Sequence, residues 1–176
     1  SATSMNGYSG RFMLNKNRGR WTFNTAIGFI SPKFEVNDLG FGSFSDYINA
    51  HLHTNYIWNV PTDFYQYFGI NASTFVSYDY GGNRVAQGYR AGTYIALRDY
   101  SGANLSYTYN PSTLNARRTR GGPLTVNPER NSINFELNTD NRVWWVLYVG
   151  GNSATGEDGT SRGIYTTLEF KVIPTL

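Results

Sequence analysis

Polar and apolar residues alternate along the segment from Ile48 to Val60. Positions 48, 50, 52, 54, 56, 58 and 60 are apolar or accept an apolar environment, whereas nearly all the residues between them are polar. A period of two predicts a β-strand whose two faces differ in polarity. The alternation extends about twice as far as an ordinary globular strand, so it favours a strand that crosses a bilayer in a barrel with a wet interior.

The same alternation recurs along the chain and predicts nine strands. In the clearest of them, Ile164, Leu168 and Phe170 lie opposite Glu169 and Lys171. No segment has the 3.6-residue period and capping residues of a helix, so the chain is predicted to be all-β and antiparallel. The predicted strands cover residues 6–14, 20–31, 46–60, 64–80, 84–100, 103–110, 131–139, 142–150 and 160–173.

The links between these strands alternate in length. Short links are predicted at 15–19, 61–63, 101–102 and 140–141, and long links rich in Gly, Pro, Asn and Ser at 32–46, 110–130 and 150–160. The link at 81–83 is short, but its flanking strands exceed the length that crosses a bilayer, so this hairpin is expected to project above the membrane. Short turns at one rim and long loops at the other are typical of an up-and-down outer-membrane β-barrel.

The composition agrees with this interpretation. Aromatic residues make up 16% of the 176 residues, and charged residues only 15%, against about 25% in a typical soluble domain. Cysteine is absent, which excludes disulfides and thiolate metal sites. The longest apolar run, Val143–Val149, is far shorter than a membrane helix requires. The net charge of +3 says little about partners.

An odd number of strands is unusual for a barrel made of one bacterial chain. We therefore expect residues 1–176 to be a single contiguous segment of a larger barrel, with the neighbouring strands on both sides lying outside it. Its first and last strands are expected to pair with the rest of the same barrel or with another outer-membrane subunit, because unpaired backbone groups cannot face hydrocarbon.

Two loops carry a resemblance to a known family. They are the segment from Phe29 to Phe41, which reads FISPKFEVNDLGF, and the segment from Arg117 to Leu124, which reads RRTRGGPL. Together they resemble the barrel region of a bacterial family common in Bacteroidetes. In that family a family-9-like carbohydrate-binding domain precedes an outer-membrane β-barrel domain of unknown function. The resemblance implies a bacterial outer-membrane location, and it implies that the amino-terminal domain and the closing strands of the family lie outside residues 1–176. It carries no established reaction.

The polar phase of the strands supplies the candidate lining of the barrel interior: Asn49, His51, His53, Asn55, Glu169 and Lys171. His51 and His53 have a spacing that could ligate a metal, but no carboxylate accompanies them on that face, so we favour a polar lining and expect no metal or cofactor. Trp58, Trp144 and Trp145 are predicted to lie at the membrane interface. Stacking against sugar rings is the alternative role for these aromatic residues.

Arg117, Arg118 and Arg120 form the densest basic cluster of the chain. On a surface loop they could pair with lipopolysaccharide phosphates, because a guanidinium group binds such oxygens in a bidentate manner. If the loop folds inward, they would instead favour anions in the interior. A solvated loop tip is the third interpretation. Nucleic-acid binding is not expected, because the net charge is low.

No catalytic motif is readable in the sequence, so we expect a non-enzymatic segment of an outer-membrane barrel. It would act as a scaffold, a pore wall or a component of a surface assembly, in contact with outer-membrane lipid and lipopolysaccharide. One alternative is an outer-membrane protein or enzyme that handles carbohydrate. The other is a soluble, lectin-like β-sandwich, which would have strands of about 5–8 residues and would expose its aromatic residues to water.

Overall fold

The computed structural model describes residues 6–34, 45–115, 118–119 and 122–171, and every regular element among them is a β-strand. Nine strands form one antiparallel sheet in the order β1-β2-β3-β4-β5-β6-β9-β10-β11, and β7 pairs with β8 in a small separate hairpin. The strands are β1 Ser9–Lys16, β2 Trp21–Ile30, β3 Tyr47–Trp58, β4 Tyr65–Tyr78, β5 Arg84–Leu97, β6 Gly102–Asn110, β7 Thr113–Asn115, β8 Thr125–Asn127, β9 Arg130–Asn138, β10 Trp145–Gly156 and β11 Gly159–Phe170.

The large sheet confirms the predicted all-β, antiparallel class and the nine strands. Each strand pairs with its neighbour in the chain, except that β6 pairs with β9 across the β7–β8 hairpin. The sheet does not close on itself, because β1 and β11 lie at its two edges without a ladder between them. No helix among the described residues is long and apolar enough to cross a membrane.

The pairing register divides the side chains of this sheet into two groups, because directly paired residues point to the same side. We call one side the apolar face; it carries Phe12, Leu14, Trp21, Ile27, Ile48, Leu52, Tyr56, Trp58, Ile70, Leu105, Tyr107, Phe135, Ile164, Leu168 and Phe170. We call the other the polar face; it carries Arg11, Asn15, Asn24, Asn49, His51, His53, Asn55, Asn71, Arg90, Asn104, Asn134, Glu136, Asn152, Tyr165 and Glu169.

The nine-stranded sheet has almost no hydrophobic core. Among the described residues, the buried hydrophobic side chains are those of Ala26, Val146 and Ala154. The large apolar side chains instead remain exposed; Ile164 is 83% exposed and Phe12 is 71% exposed. The sheet is therefore a single layer whose apolar face is uncovered.

The structure corrects the long link predicted at 150–160. Strand β10 continues to Gly156, and Glu157 and Asp158 alone connect it to β11. The run of glycines near 150 suggested a loop, but these glycines accommodate rings from neighbouring strands. A Cβ atom on Gly150 would lie 2.2 Å from Cζ of Tyr165, and one on Gly151 would lie 2.7 Å from Cε1 of Phe135.

The links between strands still differ between the two ends of the sheet. The links 17–20, 59–64, 98–101 and 139–144 are short and lie at what we call the short-turn end. The opposite end carries the links 31–46, 79–83, 111–129 and 157–158. The two longest links of the sheet, 31–46 and 111–129, are thus both at this second end, which we call the loop end. Part of the first of them, 35–44, lies outside the described residues.

A charged network joins two turns at the short-turn end. Asp140 accepts hydrogen bonds from Nε and Nη2 of Arg142 at 3.0 and 2.8 Å, and from the Arg142 amide at 2.8 Å. The Arg142 guanidinium lies over the ring of Tyr100 in the neighbouring turn, 3.0 Å from its centroid. Lys171 donates a hydrogen bond from Nζ to the carbonyl of Asn141. The hydrogen bonds from Arg142 lower the pKa of Asp140 from 3.8 to about 2.

This lowered pKa predicts an acid-sensitive turn. The carboxylate of Asp140 stabilises the folded turn above its ordinary pKa and loses that effect as the pH falls toward about 2. We expect Asp140→Asn to reduce the loss of thermal stability between pH 5 and pH 2, measured by thermal unfolding in detergent. Asp63 makes no side-chain hydrogen bond with the described residues, so Asp63→Asn is the matched control and should keep the acid sensitivity. An Asp140→Asn variant as acid-sensitive as the parent would contradict this role.

Candidate functional site on the polar face

The pairing register places the predicted interior residues of β3 and β11 together on the polar face. Asn49, His51, His53 and Asn55 share the polar face with Glu169, which pairs with Val146. Lys171 lies one residue beyond β11 and contacts the turn at the short-turn end rather than the middle of the sheet.

Five polar side chains of β2, β3 and β4 on this face bond to one another. His51 Nε2 lies 2.6 Å from Oδ1 of Asn24. Asn49 donates to Oγ of Ser77 at 3.1 Å, and that hydroxyl donates to Tyr47 OH at 3.0 Å. Ser77 is fully buried beneath these groups. These five side chains thus use hydrogen-bonding capacity within the sheet.

Two tyrosines on the polar face cross a glycine to reach a partner two strands away. Tyr94 of β5 lies over Gly69 of β4, and its hydroxyl donates to Oδ1 of Asn55 in β3 at 3.2 Å. Tyr165 of β11 lies over Gly150 of β10 in the same way, and its hydroxyl donates to Oε2 of Glu136 in β9 at 2.8 Å. Each tyrosine therefore ties three adjacent strands together, and the glycine leaves room for the ring.

A hollow of about 390 Å³ lies beside Tyr165, over β4 to β11. We call it the polar hollow; its polar-face side chains come from Asn71, Arg90, Asn104, Ser106, Asn134, Glu136, Asn152 and Tyr165. The hollow follows the register: Asn71 pairs with Gly92, Gly92 with Ser106, Ser106 with Asn134 and Asn134 with Asn152. One row of amides and small residues thus runs straight across five strands.

The amides that line the polar hollow are free. The side chains of Asn71, Asn104, Asn134 and Asn152 make no hydrogen bond with the described residues, and the guanidinium of Arg90 makes no hydrogen bond or ion pair with them. Asn15, Asn24, Asn49 and Asn55, by contrast, are all bonded to other side chains. The polar hollow therefore gathers four amides whose donors and acceptors remain available.

The basic cluster lies in the insertion between β6 and β9. Arg118 donates from its amide to Oδ1 of Asn115 at 3.0 Å, whereas Arg117 and Arg120 lie outside the described residues. The insertion also contains β7 and β8, which the sequence did not predict. Strand β7 contacts β5, and Arg84 at the start of β5 donates to the carbonyl of Ser112 at 3.0 Å. The hairpin is therefore held against the loop end of the sheet.

The four tryptophans of the chain all lie at the short-turn end. Trp58 packs on the apolar face, with its ring centroid 4.6 Å from that of Tyr56 and 5.1 Å from that of Phe68. Trp145 pairs directly with Phe170 on the same face. Trp144 immediately precedes β10, and its ring stacks on Phe170 at 5.8 Å. The three predicted interface aromatics thus lie at one end of the sheet, in what we call the tryptophan-containing belt.

A metal site is not apparent in the part of the chain that the structure describes, where no three His, Cys, Asp or Glu side chains come together. The polar hollow was not predicted from the sequence. Arg90 and the four free asparagines are far apart in the chain, and only the strand register brings them together. The alternation of Asn and Gly on the polar phase was the available signal, but by itself it does not reveal which amides are left unbonded.

A comparison with protein families gives one match for the chain. The family model is described as a domain of unknown function (DUF5916), and it covers residues 1–173. The chain belongs to this family. The comparison with curated proteins gave no match, and neither did the comparison with solved structures. This match confirms one part of the expected resemblance, namely that the chain is a domain of unknown function. The family description names no activity, location or source.

The contact between Tyr165 and Gly150 can be tested in this DUF5916 chain. An alanine at position 150 would force the ring away, since its Cβ would lie 2.2 Å from Cζ of Tyr165. We expect Gly150→Ala to break the Tyr165–Glu136 bond and to destabilise the fold by about 1 kcal/mol, the net contribution of one hydrogen bond, measured by denaturant unfolding in detergent.

Gly28 provides the matched control for this substitution. It also lies on the polar face, but a Cβ there would meet its nearest neighbour at 3.6 Å, which is ordinary van der Waals contact. Gly28→Ala should therefore leave stability nearly unchanged. Equal stability losses in the two variants would show that the close approach of the Tyr165 ring is not what requires glycine at position 150.

Proposed function

We propose that this chain is a segment of a β-barrel in the bacterial outer membrane, with the apolar face toward lipid and the polar face toward a water-filled interior. In this role it acts as a scaffold, a pore wall or a component of a surface assembly, and it is not catalytic. The observation that carries the proposal is the uncovered apolar face of a single-layer sheet.

The distribution of charge supports a lipid environment for the apolar face. The charged residues that the register places on this face, Lys16, Arg84 and Arg162, lie at or near strand ends. A Lys or Arg facing lipid costs about 2–4 kcal/mol at the midplane but nearly nothing near the interface. Lys16 also turns its Nζ toward the short-turn end, where it donates to the carbonyl of Arg18 at 2.8 Å.

Two groups of aromatic residues bound the apolar face in the manner of interfacial girdles. One is the tryptophan-containing belt at the short-turn end, and the other lies at the loop end and includes Tyr78 and the stacked pair Tyr89 and Tyr109. Phe68 and Tyr78 are ten residues apart along β4. At about 3.3 Å per residue and a tilt of about 45°, they are separated by about 23 Å along the membrane normal, close to the roughly 25 Å apolar band of such barrels.

The two edges of the sheet support the view that further strands complete the barrel. Strands β1 and β11 are exposed along nearly their whole length and carry Phe12, Leu14, Ile164 and Leu168. Natural sheets usually shorten, charge or cover such edges, because unpaired apolar strands recruit other chains. We propose that strands of the same polypeptide or of another outer-membrane subunit pair with both edges.

A second candidate function is the handling of carbohydrate, for which the free amides of the polar hollow are the relevant observation. A soluble lectin-like sandwich receives no such support. The strands β3, β4, β5, β10 and β11 contain 12 to 14 residues. A second layer that would cover the apolar face is not present in the described part of the chain.

Cysteine labelling tests the assignment of the two faces, and residues 1–176 contain no native cysteine that would react with the labels. In cells that express the full-length polypeptide, Leu52→Cys and Ile70→Cys should react only with a membrane-restricted reagent, because both side chains are on the apolar face. Their neighbours on the polar face, as His53→Cys and Asn71→Cys, should react with a small water-soluble maleimide. Uniform reaction of all four with the soluble reagent would refute the membrane assignment.

Epitope tags test which end of the sheet faces outward. We expect a tag inserted after Gly82, at the loop end, to be accessible on intact cells, since a Cβ there would meet nothing within 4 Å. A tag inserted after Asp63, at the short-turn end, should become accessible only after the outer membrane is permeabilised. The reverse pattern would contradict the orientation, and accessibility of both tags on intact cells would contradict the crossing of a membrane between them.

A further inference from the structure

The polar hollow has a composition that selects a particular kind of ligand. Its charged groups are Arg90 and Glu136, which carry opposite charges, so the hollow as a whole is close to neutral. An amide side chain offers both donors and an acceptor, and four of them converge here without a partner among the described residues. A ligand that satisfies this surface must therefore offer several groups that can each donate and accept a hydrogen bond.

Tyr165 adds an apolar surface beside these amides. Its ring is held over Gly150 by the hydrogen bond to Glu136, yet 46% of the residue remains exposed. A ring held in one position provides contact area at a low entropic cost when a ligand binds. The site therefore combines a fixed aromatic ring with a row of hydrogen-bonding amides.

We propose that the polar hollow binds a short neutral saccharide. Hydroxyl groups of the sugar would bond to Asn71, Asn104, Asn134 and Asn152, Arg90 would donate to a sugar oxygen, and the C–H surface of a sugar ring would pack on Tyr165. The volume of about 390 Å³ lies within the range of about 300–1,000 Å³ that small-molecule sites occupy.

A simple anion fits the polar hollow less well. The carboxylate of Glu136 lies in the same hollow and repels a phosphate or carboxylate ligand, and Arg90 is the one basic residue among the lining side chains of the described chain. A neutral saccharide avoids this repulsion and also uses the amides, which a small anion would leave largely unbonded. The inference thus deepens the proposed function. It rests on one part of that proposal, namely that water reaches the polar face.

The test measures binding by the full-length polypeptide in detergent micelles, with maltose, cellobiose and lactose as neutral probes and inorganic phosphate as the anionic probe. Measurement in detergent keeps the result independent of membrane orientation, which the cysteine labels test separately. We expect at least one disaccharide to bind with a millimolar Kd by isothermal titration calorimetry, and phosphate to bind at least tenfold more weakly.

Variants assign the binding to the polar hollow. Tyr165→Leu should weaken disaccharide binding at least tenfold, and Asn134→Ala should weaken it about threefold to tenfold without affecting the fold, since the Asn134 side chain is exposed and unbonded in the described structure. Tyr107 is equally exposed, at 45%, but lies on the apolar face, so Tyr107→Leu is the matched control and should bind normally.

Three results would overturn the inference. In the first, the folded protein binds none of the three disaccharides. In the second, a disaccharide binds, but neither Tyr165→Leu nor Asn134→Ala changes its Kd. In the third, the protein binds phosphate alone, and Arg90→Gln abolishes that binding. The last result would identify an anion site. None of these outcomes would alter the labelling pattern of the cysteines on β3 and β4, so failure of this inference is distinguishable from failure of the proposed function.

Discussion

The exposed apolar face is the constraint on which the rest of the structure depends. A sheet ordinarily buries at least one face against a second layer, and each square ångström of apolar surface left in water forgoes about 25 cal/mol. Here nine strands present one continuous apolar side, and no described element covers it. Monomeric soluble proteins rarely expose patches of more than a few hundred square ångströms. The covering that we propose is lipid, which would account at once for the polarity of the two faces, the aromatic belts and the position of the charged residues.

The opposite face meets a different requirement, because its polar groups must either bond to one another or remain in water. Some of them bond to one another, as in the chain of Asn49, Ser77 and Tyr47. Around Tyr165, which is fixed by Glu136, four amides from β4, β6, β9 and β10 stay free. Since the register alone determines which side chains become neighbours, the same sheet provides both a bonded cluster and a group of unbonded amides.

The period of two was sufficient to predict the class, the number of long strands and the face of each residue in β3 and β11, because it follows directly from the pleat of a strand. It failed at Gly150 and Gly151, where glycine signals a turn in the sequence but in the fold makes space for Tyr165 and Phe135. The β7–β8 hairpin was missed because its strands have only three residues each, too few to show a period. The polar hollow could not be predicted, since it joins residues from β4 to β11 whose proximity depends on the register of every strand between them.

The order of the strands has a consequence for how the sheet forms. Almost every ladder joins strands that follow one another in the chain. Most of these ladders close a link of two to six residues, whereas β2 pairs with β3 across residues 31–46 and β6 pairs with β9 across residues 111–129. Loop-closure cost grows slowly, by about 0.6 kcal/mol for each doubling of length. The free energy of forming the sheet therefore depends mainly on the strands themselves and little on the length of the two long links at the loop end.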